Sequence, residues 1–184
     1  MSKDKLYIMR SGYTKTGLEE MIEYIGNTID LKQSTIIEIG AYAGESTEIF
    51  AKKFKEVITI DPHLNDYDKN DAACQYMDLV DVYKVFQSVI SKYPNIKHIK
   101  RTSDEACEQL QNIKADVVYI DGLHTYEQVK KDILNYMPMI KSNGFLSGHD
   151  YSPHWAGVVQ AITEIIGNPE KVFEDTSWIK KITN

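Results

Sequence analysis

A chain of 184 residues with 42% hydrophobic and 26% charged side chains is long enough for one domain that buries roughly 70% of its unfolded surface, so folding requires neither a disulfide framework nor a structural metal. A formal net charge of -6, with basic residues gathered only in pairs such as Lys52-Lys53, Lys100-Arg101, Lys130-Lys131 and Lys180-Lys181, argues against a nucleic-acid partner. No window approaches the ~20 apolar residues of a membrane span, Cys74 and Cys107 make no framework spacing, and the charged start Met1-Ser2-Lys3-Asp4-Lys5 is followed by no apolar leader core; the expectation is cytoplasmic residence without membrane attachment.

Along the chain, Thr16-Gly17-Leu18-Glu19 has the form of a capping box, and Leu18, Met21, Ile22, Ile25 and Ile29 follow at helical spacing. This predicts a first amphipathic helix over 16–29, packed beside a sheet. Arg10, Tyr13 and Lys15 precede it, placed to close over a site if that segment crosses the sheet edge. The apolar run Thr35 to Ile39, a glycine-containing turn, a helix with Ile49, Phe50 and Phe54 inward, and the run Val57 to Ile60 make one βαβ unit. Residues 64–76 are polar and without a period; they read as a surface loop, with a lid as the alternative. Leu79, Val82, Phe86, Val89, Ile90 and Tyr93 mark the next helix, which Pro94-Asn95 stops before a strand from Ile96 to Ile99. Ser103 can cap a helix to about Ile113, Ala115 to Ile120 is a strand, and Thr125-Tyr126-Glu127-Gln128 forms a capping box ahead of Val129, Ile133 and Met137. Pro138 and Gly144 bracket the return to a strand from Phe145 to His149, and Trp155 to Ile166 gives the last helix. Lys171 to Glu174 and Trp178 to Ile182 are closing strands, joined by a turn short enough for a hairpin. The alternation predicts one doubly wound, Rossmann-like α/β sheet with helices on both faces, mostly parallel but with an antiparallel carboxyl-terminal edge hairpin. It forms a single domain over 1–184, with an amino-terminal helical segment (1–30) ahead of the core (35–184).

Two of the apolar strands end in side chains that can bind metals or move protons: Val117-Val118-Tyr119-Ile120-Asp121-Gly122-Leu123-His124 and Gly144-Phe145-Leu146-Ser147-Gly148-His149-Asp150. As parallel neighbours they bring Asp121, His124, His149 and Asp150 to the carboxyl edge, where open α/β sheets bind their ligands. The turn Glu38-Ile39-Gly40-Ala41-Tyr42-Ala43-Gly44-Glu45-Ser46-Thr47 joins the first strand to its helix, and its glycines admit backbone against a ligand. The middle glycine of a Gly-x-Gly-x-x-Gly loop is missing, which disfavours a dinucleotide pyrophosphate. Asp61 ends the second strand twenty-one residues after Gly40, at the spacing of a carboxylate that accepts hydrogen bonds from ribose hydroxyls. The alternative for Asp61 is a helix cap before Pro62.

The Glu-x-Gly-x-x-x-Gly turn with Asp61 resembles motifs one and two of the class I S-adenosylmethionine-dependent methyltransferases, over residues 35–150. Asp121-Gly122-Leu123-His124-Thr125-Tyr126-Glu127, followed by Asp132, Gly144 and Gly148-His149-Asp150-Tyr151, is similar to the small-molecule O-methyltransferases that include macrocin-type sugar methyltransferases and cephalosporin-hydroxylase-like proteins, methyltransferase domain family 24. The resemblance implies a Rossmann-like fold and S-adenosylmethionine as cofactor. It places Glu38, Gly40 and Gly44 at the methionine portion, Asp61 at the ribose and Ser103-Asp104 at the adenine edge, with Ala41, Ser46, His63 and Asp121 also among the cofactor-binding residues. It further implies that Asp121 binds magnesium and that His124 is the base.

Methyl transfer from a sulfonium is a direct displacement that needs a deprotonated acceptor, held in line. A divalent ion or a histidine with pKa near ~6.5 can supply the deprotonation. The chain departs from its relatives at the fifth strand, where His149-Asp150 stands in place of two carboxylates. Imidazole suits zinc, manganese or iron better than magnesium, so Asp121, His149 and Asp150 are candidate ligands for magnesium or another divalent metal. The alternative is that Asp121 and Asp150 cap strand ends while His149 hydrogen-bonds within the cleft. Trp155, Tyr126 and Tyr151 are candidates for an acceptor wall, with ordinary packing as the alternative; His154 reads as a loop residue, with contact to the acceptor or a metal as the alternative, and His98 as structural. The expected function is methyl transfer to a hydroxyl of a small-molecule acceptor, such as a sugar or other polyol, with His124 and Asp121 as the catalytic pair. Self-association into a homo-oligomer is expected through the amino-terminal helix. The competing functions are a metal-dependent hydrolase, which leaves the Gly40 turn and Asp61 without a role, and a non-catalytic S-adenosylmethionine-binding domain.

Overall fold

Alternation along the strands decides which layer each side chain joins. In β1 (Thr35–Ile39), Ile37 and Ile39 pack into one apolar cluster and Ile36 into the other; in β4 (Ala115–Ile120), Val118 and Ile120 face the first cluster while Val117 and Tyr119 face the second. The first layer is completed by α4 (Ser103–Leu110), α5 (Tyr126–Tyr136) and α6 (Ala156–Ile166), the second by α1 (Tyr13–Gly26) and α2 (Glu45–Lys53). The remaining elements are α3 (Leu79–Ile90) and strands β2 (Glu56–Ile60), β3 (Ile96–Ile99), β5 (Ile140–Gly148), β6 (Lys171–Val172) and β7 (Trp178–Lys181). The computed structural model describes residues 7–67 and 75–183. Cys74 and part of the predicted 64–76 loop lie outside the described residues.

The sheet order is β3-β2-β1-β4-β5-β7-β6. The first five strands are parallel, and β7 runs antiparallel to both β5 and β6. The sheet is therefore Rossmann-like, with the predicted carboxyl-terminal hairpin at its edge. From β1 the chain moves outward through β2 and β3, then crosses back so that β4 lies beside β1. The carboxyl ends of β1 and β4 flank this switch point, the place where such sheets form a ligand crevice. Among the described residues no helix is long and apolar enough to cross a membrane.

The structure corrects several predicted boundaries. Helix α1 starts at Tyr13 after Gly12, and Thr16 donates its hydroxyl back to Gly12 O (3.1 Å) from inside the first turn, so the Thr16–Glu19 capping box is not formed. The full capping box of α4 belongs to Thr102 and Glu105, which makes Ser103 the first helical residue and not the cap. At α5 only half a box forms: Thr125 accepts from Gln128 N, while the Gln128 amide turns to Ser103 and Asp132. Strand β5 begins at Ile140, ahead of Phe145, because the chain pairs with Ala115 before a register shift.

Candidate active site

Where β1 stops, its turn is joined to both neighbouring strands: Gly40 N donates to Ile60 O and Asp121 N to Ile39 O, each at 2.8 Å. Gly40 has φ 88°, and a Cβ there would stand 1.9 Å from Asp121 O, so only glycine fits. Asp61 organises the turn. Its Oδ2 accepts from Ala41 N and Tyr42 N, both at 2.9 Å, and its Oδ1 accepts from His63 N at 2.7 Å. No helix begins at Pro62, so Asp61 is not a helix cap. Tyr42 and His63 take left-handed conformations, φ 45° and 47°, which cost about 1–3 kcal/mol each and concentrate at functional sites. His63 Nε2 lies 2.8 Å from Tyr42 O and closes this assembly from behind. Glu38 turns to the other layer and accepts from Ser46 Oγ (2.5 Å) and Thr47 Oγ1 (2.6 Å). Its complete burial outweighs those hydrogen bonds and pushes the carboxyl up to about 7.

Across the crevice, the ends of β4 and β5 carry a charged cluster. His124 Nε2 lies 2.9 Å from Asp150 Oδ2 and 3.8 Å from Asp121 Oδ1; His149 Nδ1 lies 3.2 Å from Asp150 Oδ1 and 3.9 Å from Asp121 Oδ1. Arg10 enters from the amino-terminal segment and sets its guanidinium 2.5 Å from Asp121 Oδ2, 3.1 Å from Tyr119 Oη and 3.6 Å from Asp175 Oδ2. Burial pushes Asp121 and Asp150 up, but the Arg10 charge on Asp121, and the hydrogen bonds and charge of the two histidines on Asp150, outweigh it and hold both below the usual carboxylate range. Burial lowers His149, yet Asp121 and Asp150 carry it above its ordinary value. Asp150 itself has φ 63°, a second mark of backbone strain at the site.

A cavity of about 380 Å³ separates the two groups, a volume within the ~300–1,000 Å³ range of small-molecule sites. Of the residues predicted from sequence, Gly40, Ala41, Ser46, Asp61, Ser103, Asp121, His124, His149 and Asp150 reach its wall. Glu38, Gly44, His63 and Asp104 do not. Gly44 caps α2 and lies against Phe86 of α3, whereas Asp104 turns outward to Lys131. Trp155 is on the wall and packs on the His124 ring at 4.4 Å between centroids. Tyr126 and Tyr151 instead bond Glu164 and Thr163 on α6. His154 is exposed, and His98 sits in an aromatic cluster with His63, Tyr83 and Phe86.

Two contributors were not read as site residues from the sequence. Asp175, buried in the β6–β7 turn, faces Arg10. Asp132, also buried and on the wall, accepts from Gln128 Nε2 at 3.0 Å, and burial pushes its carboxyl up to about 6. The four-residue spacing from Gln128, which puts both on one helix face, was the available signal for Asp132.

A glycine turn with a strand-end carboxylate stands on one wall and a histidine–carboxylate pair on the other, and the profile of the family described as methyltransferase domain matches residues 37–151. The chain belongs to this methyltransferase family. The match spans the Gly40 turn, Asp61 and the stretch from Asp121 to Asp150, and supports S-adenosylmethionine as the methyl donor. The methyltransferase is 29% identical over 157 residues to the uncharacterized protein R132 of Acanthamoeba polyphaga mimivirus, covering 80% of this chain and 66% of that relative's length. Among solved structures it is similar to CalS11, a TDP-rhamnose 3'-O-methyltransferase of calicheamicin biosynthesis, with TM-score 0.65 and 15% identity over 98% of this chain and 85% of that one. It is also similar to an O-methyltransferase from Bacillus cereus in complex with SAH, with TM-score 0.62 and 12% identity over 96% and 84% of the two chains. At these identities the likeness to solved structures carries the fold alone.

The residues present fit magnesium poorly. Asp121, His124 and Asp150 have ligand atoms within 4.8 Å of one another, but this is one nitrogen and two oxygens, unlike the all-oxygen shell of magnesium. Coordination would occupy His124, and one oxygen of Asp121 is already bonded to Arg10.

Proposed function

We propose that this methyltransferase transfers the methyl group of S-adenosylmethionine to a hydroxyl of a small molecule, a sugar or related polyol, with His124 as the base. The observation that carries the reading is that one cavity joins the Gly40–Asp61 assembly to the His124–Asp150 pair. The acceptor O–H proton passes to His124 as the new O–C bond forms and the C–S bond breaks, and S-adenosylhomocysteine leaves. Asp150, 2.9 Å from Nε2, stabilises the imidazolium so formed, as the third member of a base–orienter arrangement does. Trp155 packs on the ring and fixes its plane. The resemblance of Asp121–Glu127 to the macrocin-type sugar methyltransferases supports a sugar acceptor, and the net charge of -6 supports the absence of a nucleic-acid partner. The divalent ion implied by the resemblance enters no step, because Asp121 is paired with Arg10.

Calorimetry of metal-stripped protein with S-adenosylhomocysteine, repeated with magnesium and with manganese, tests the cofactor. We expect one site, filled without added ion, and no binding under any condition would remove the methyltransferase reading. The base is tested with His124→Ala, which is expected to bind S-adenosylhomocysteine as the parent does and to lose transfer of labelled methyl groups to a panel of sugars and sugar nucleotides. Transfer at the parent rate would remove His124 from the mechanism. Retained binding with no transfer by the parent to any acceptor class would favour the non-catalytic domain.

A further inference from the structure

Arg10 is held too firmly to be a passing surface cation. Met9 N and Arg10 N both donate to Glu45 Oε2 in the first turn of α2, at 2.5 and 3.0 Å, and Thr14 Oγ1 donates to Met9 O at 3.0 Å. From this anchor the side chain, 8% exposed, reaches Asp121, Tyr119 and Asp175. Asp175 is in turn set by Ser177, whose backbone N–H and hydroxyl donate to its two oxygens at 3.0 and 2.8 Å. A guanidinium has five donors, no acceptor capacity and a permanent charge. Against Asp121 it supplies positive charge at the carboxylate that, by the resemblance, would otherwise bind a metal. A divalent ion on the other Asp121 oxygen would lie within a few ångströms of that charge, in a cavity where repulsion is weakly screened.

We propose that Arg10 is the resident cation of this site: it occupies the charge-balancing place at Asp121 that a divalent ion would need, so that the seated amino-terminal segment and a metal exclude one another. The meaning of the inference rests on the methyltransferase reading, but its test does not. Arg10 touches Asp121 and not the transferred methyl group, so it is a positioning residue.

Manganese is the probe, its uptake by the metal-stripped full chain followed by loss of the electron paramagnetic resonance signal of the free ion. The parent and Arg10→Lys are expected to take up no manganese at millimolar concentration. Arg10→Gln is expected to bind one equivalent at least about tenfold more tightly than either, since a unit positive charge has been removed from beside the ion. The gain should vanish in Arg10→Gln combined with Asp121→Asn. A parent that binds one equivalent of manganese as tightly as Arg10→Gln would overturn the inference, and so would a folded Arg10→Gln that gains none. If Arg10→Gln does not fold, the parent titration decides: one tight equivalent overturns the inference and none supports it. S-adenosylhomocysteine binding is measured on the same samples, so loss of that binding counts against the methyltransferase reading, and adverse manganese data with binding intact count against Arg10 alone.

Discussion

On the glycine-turn side of the cavity, Glu38 finds its partners eight and nine residues away and Asp61 within twenty. On the strand-end side, Asp121 meets an arginine 111 residues distant. The first side is short-range and uses neutral donors, backbone amides and hydroxyls. The second is long-range and opposes full charges that become neighbours only once the amino-terminal segment and the β6–β7 turn have closed on the sheet. Neutral donors leave Glu38 close to its protonated form, whereas cations hold Asp121 and Asp150 ionised. The groups on the two sides of the cavity, Glu38 behind one wall and Asp121 and Asp150 on the other, therefore respond to acid in opposite directions.

The largest expected effect is that of Gly40→Ala. A Cβ 1.9 Å from Asp121 O at φ 88° forces apart the point where the two sides touch, and we expect a loss of at least about 3 kcal/mol in denaturant unfolding together with loss of S-adenosylhomocysteine binding. A variant within about 1 kcal/mol of the parent would mean that the sides are not rigidly joined there.

Next comes Glu38. Its carboxyl titrates near 7 when folded and near 4.5 when unfolded, so the folded state keeps a proton that the unfolded state releases between those values. Stability from this group is full below pH 4.5 and falls by on the order of 3 kcal/mol as pH rises through 7. Glu38→Gln should flatten that slope, and an unchanged slope in unfolding measured from pH 5 to 8 would contradict the assignment. Asp121 and Asp150 have the opposite sign: their stabilisation is present above the ordinary carboxylate pKa and is lost as pH falls below about 4. Asp150→Asn should blunt this acid limb while leaving the Glu38 slope intact. The smallest effect is that of Thr102→Ala, which removes the α4 cap at about 1 kcal/mol and should leave both pH slopes unchanged in the same unfolding series.

The strands and the order of elements were legible because buried parallel strands read as apolar runs with turn residues between them. Residues Thr35 to Ile39 and Ala115 to Ile120 carry their own boundaries. The helix starts were less so, since Thr16 and Ser103 have the chemistry of caps but lie inside helices whose N-cap positions are Gly12 and Thr102. The Gly40–Asp61 assembly could be anticipated from spacing because its partners are near in sequence. Arg10 could be noticed only as a residue ahead of a helix; its pairing with Asp121 and Asp175 depends on where three distant segments meet, and no local pattern encodes that. Glu38 and His63 show the converse: motif positions whose side chains brace the wall from behind.

The chain has two tryptophans, and both belong to the strand-end side. Trp155 stands on the cavity wall against His124, while Trp178, fully buried, donates its indole N–H to His149 O at 3.2 Å. The protein thus carries an unlabelled optical reporter of its proposed reacting centre, with one fluorophore on the cavity wall and one beneath the end of the strand that leads to His149. Entry of an acceptor or unseating of Arg10 would each register in emission selective for tryptophan, with no background from indoles elsewhere in the fold.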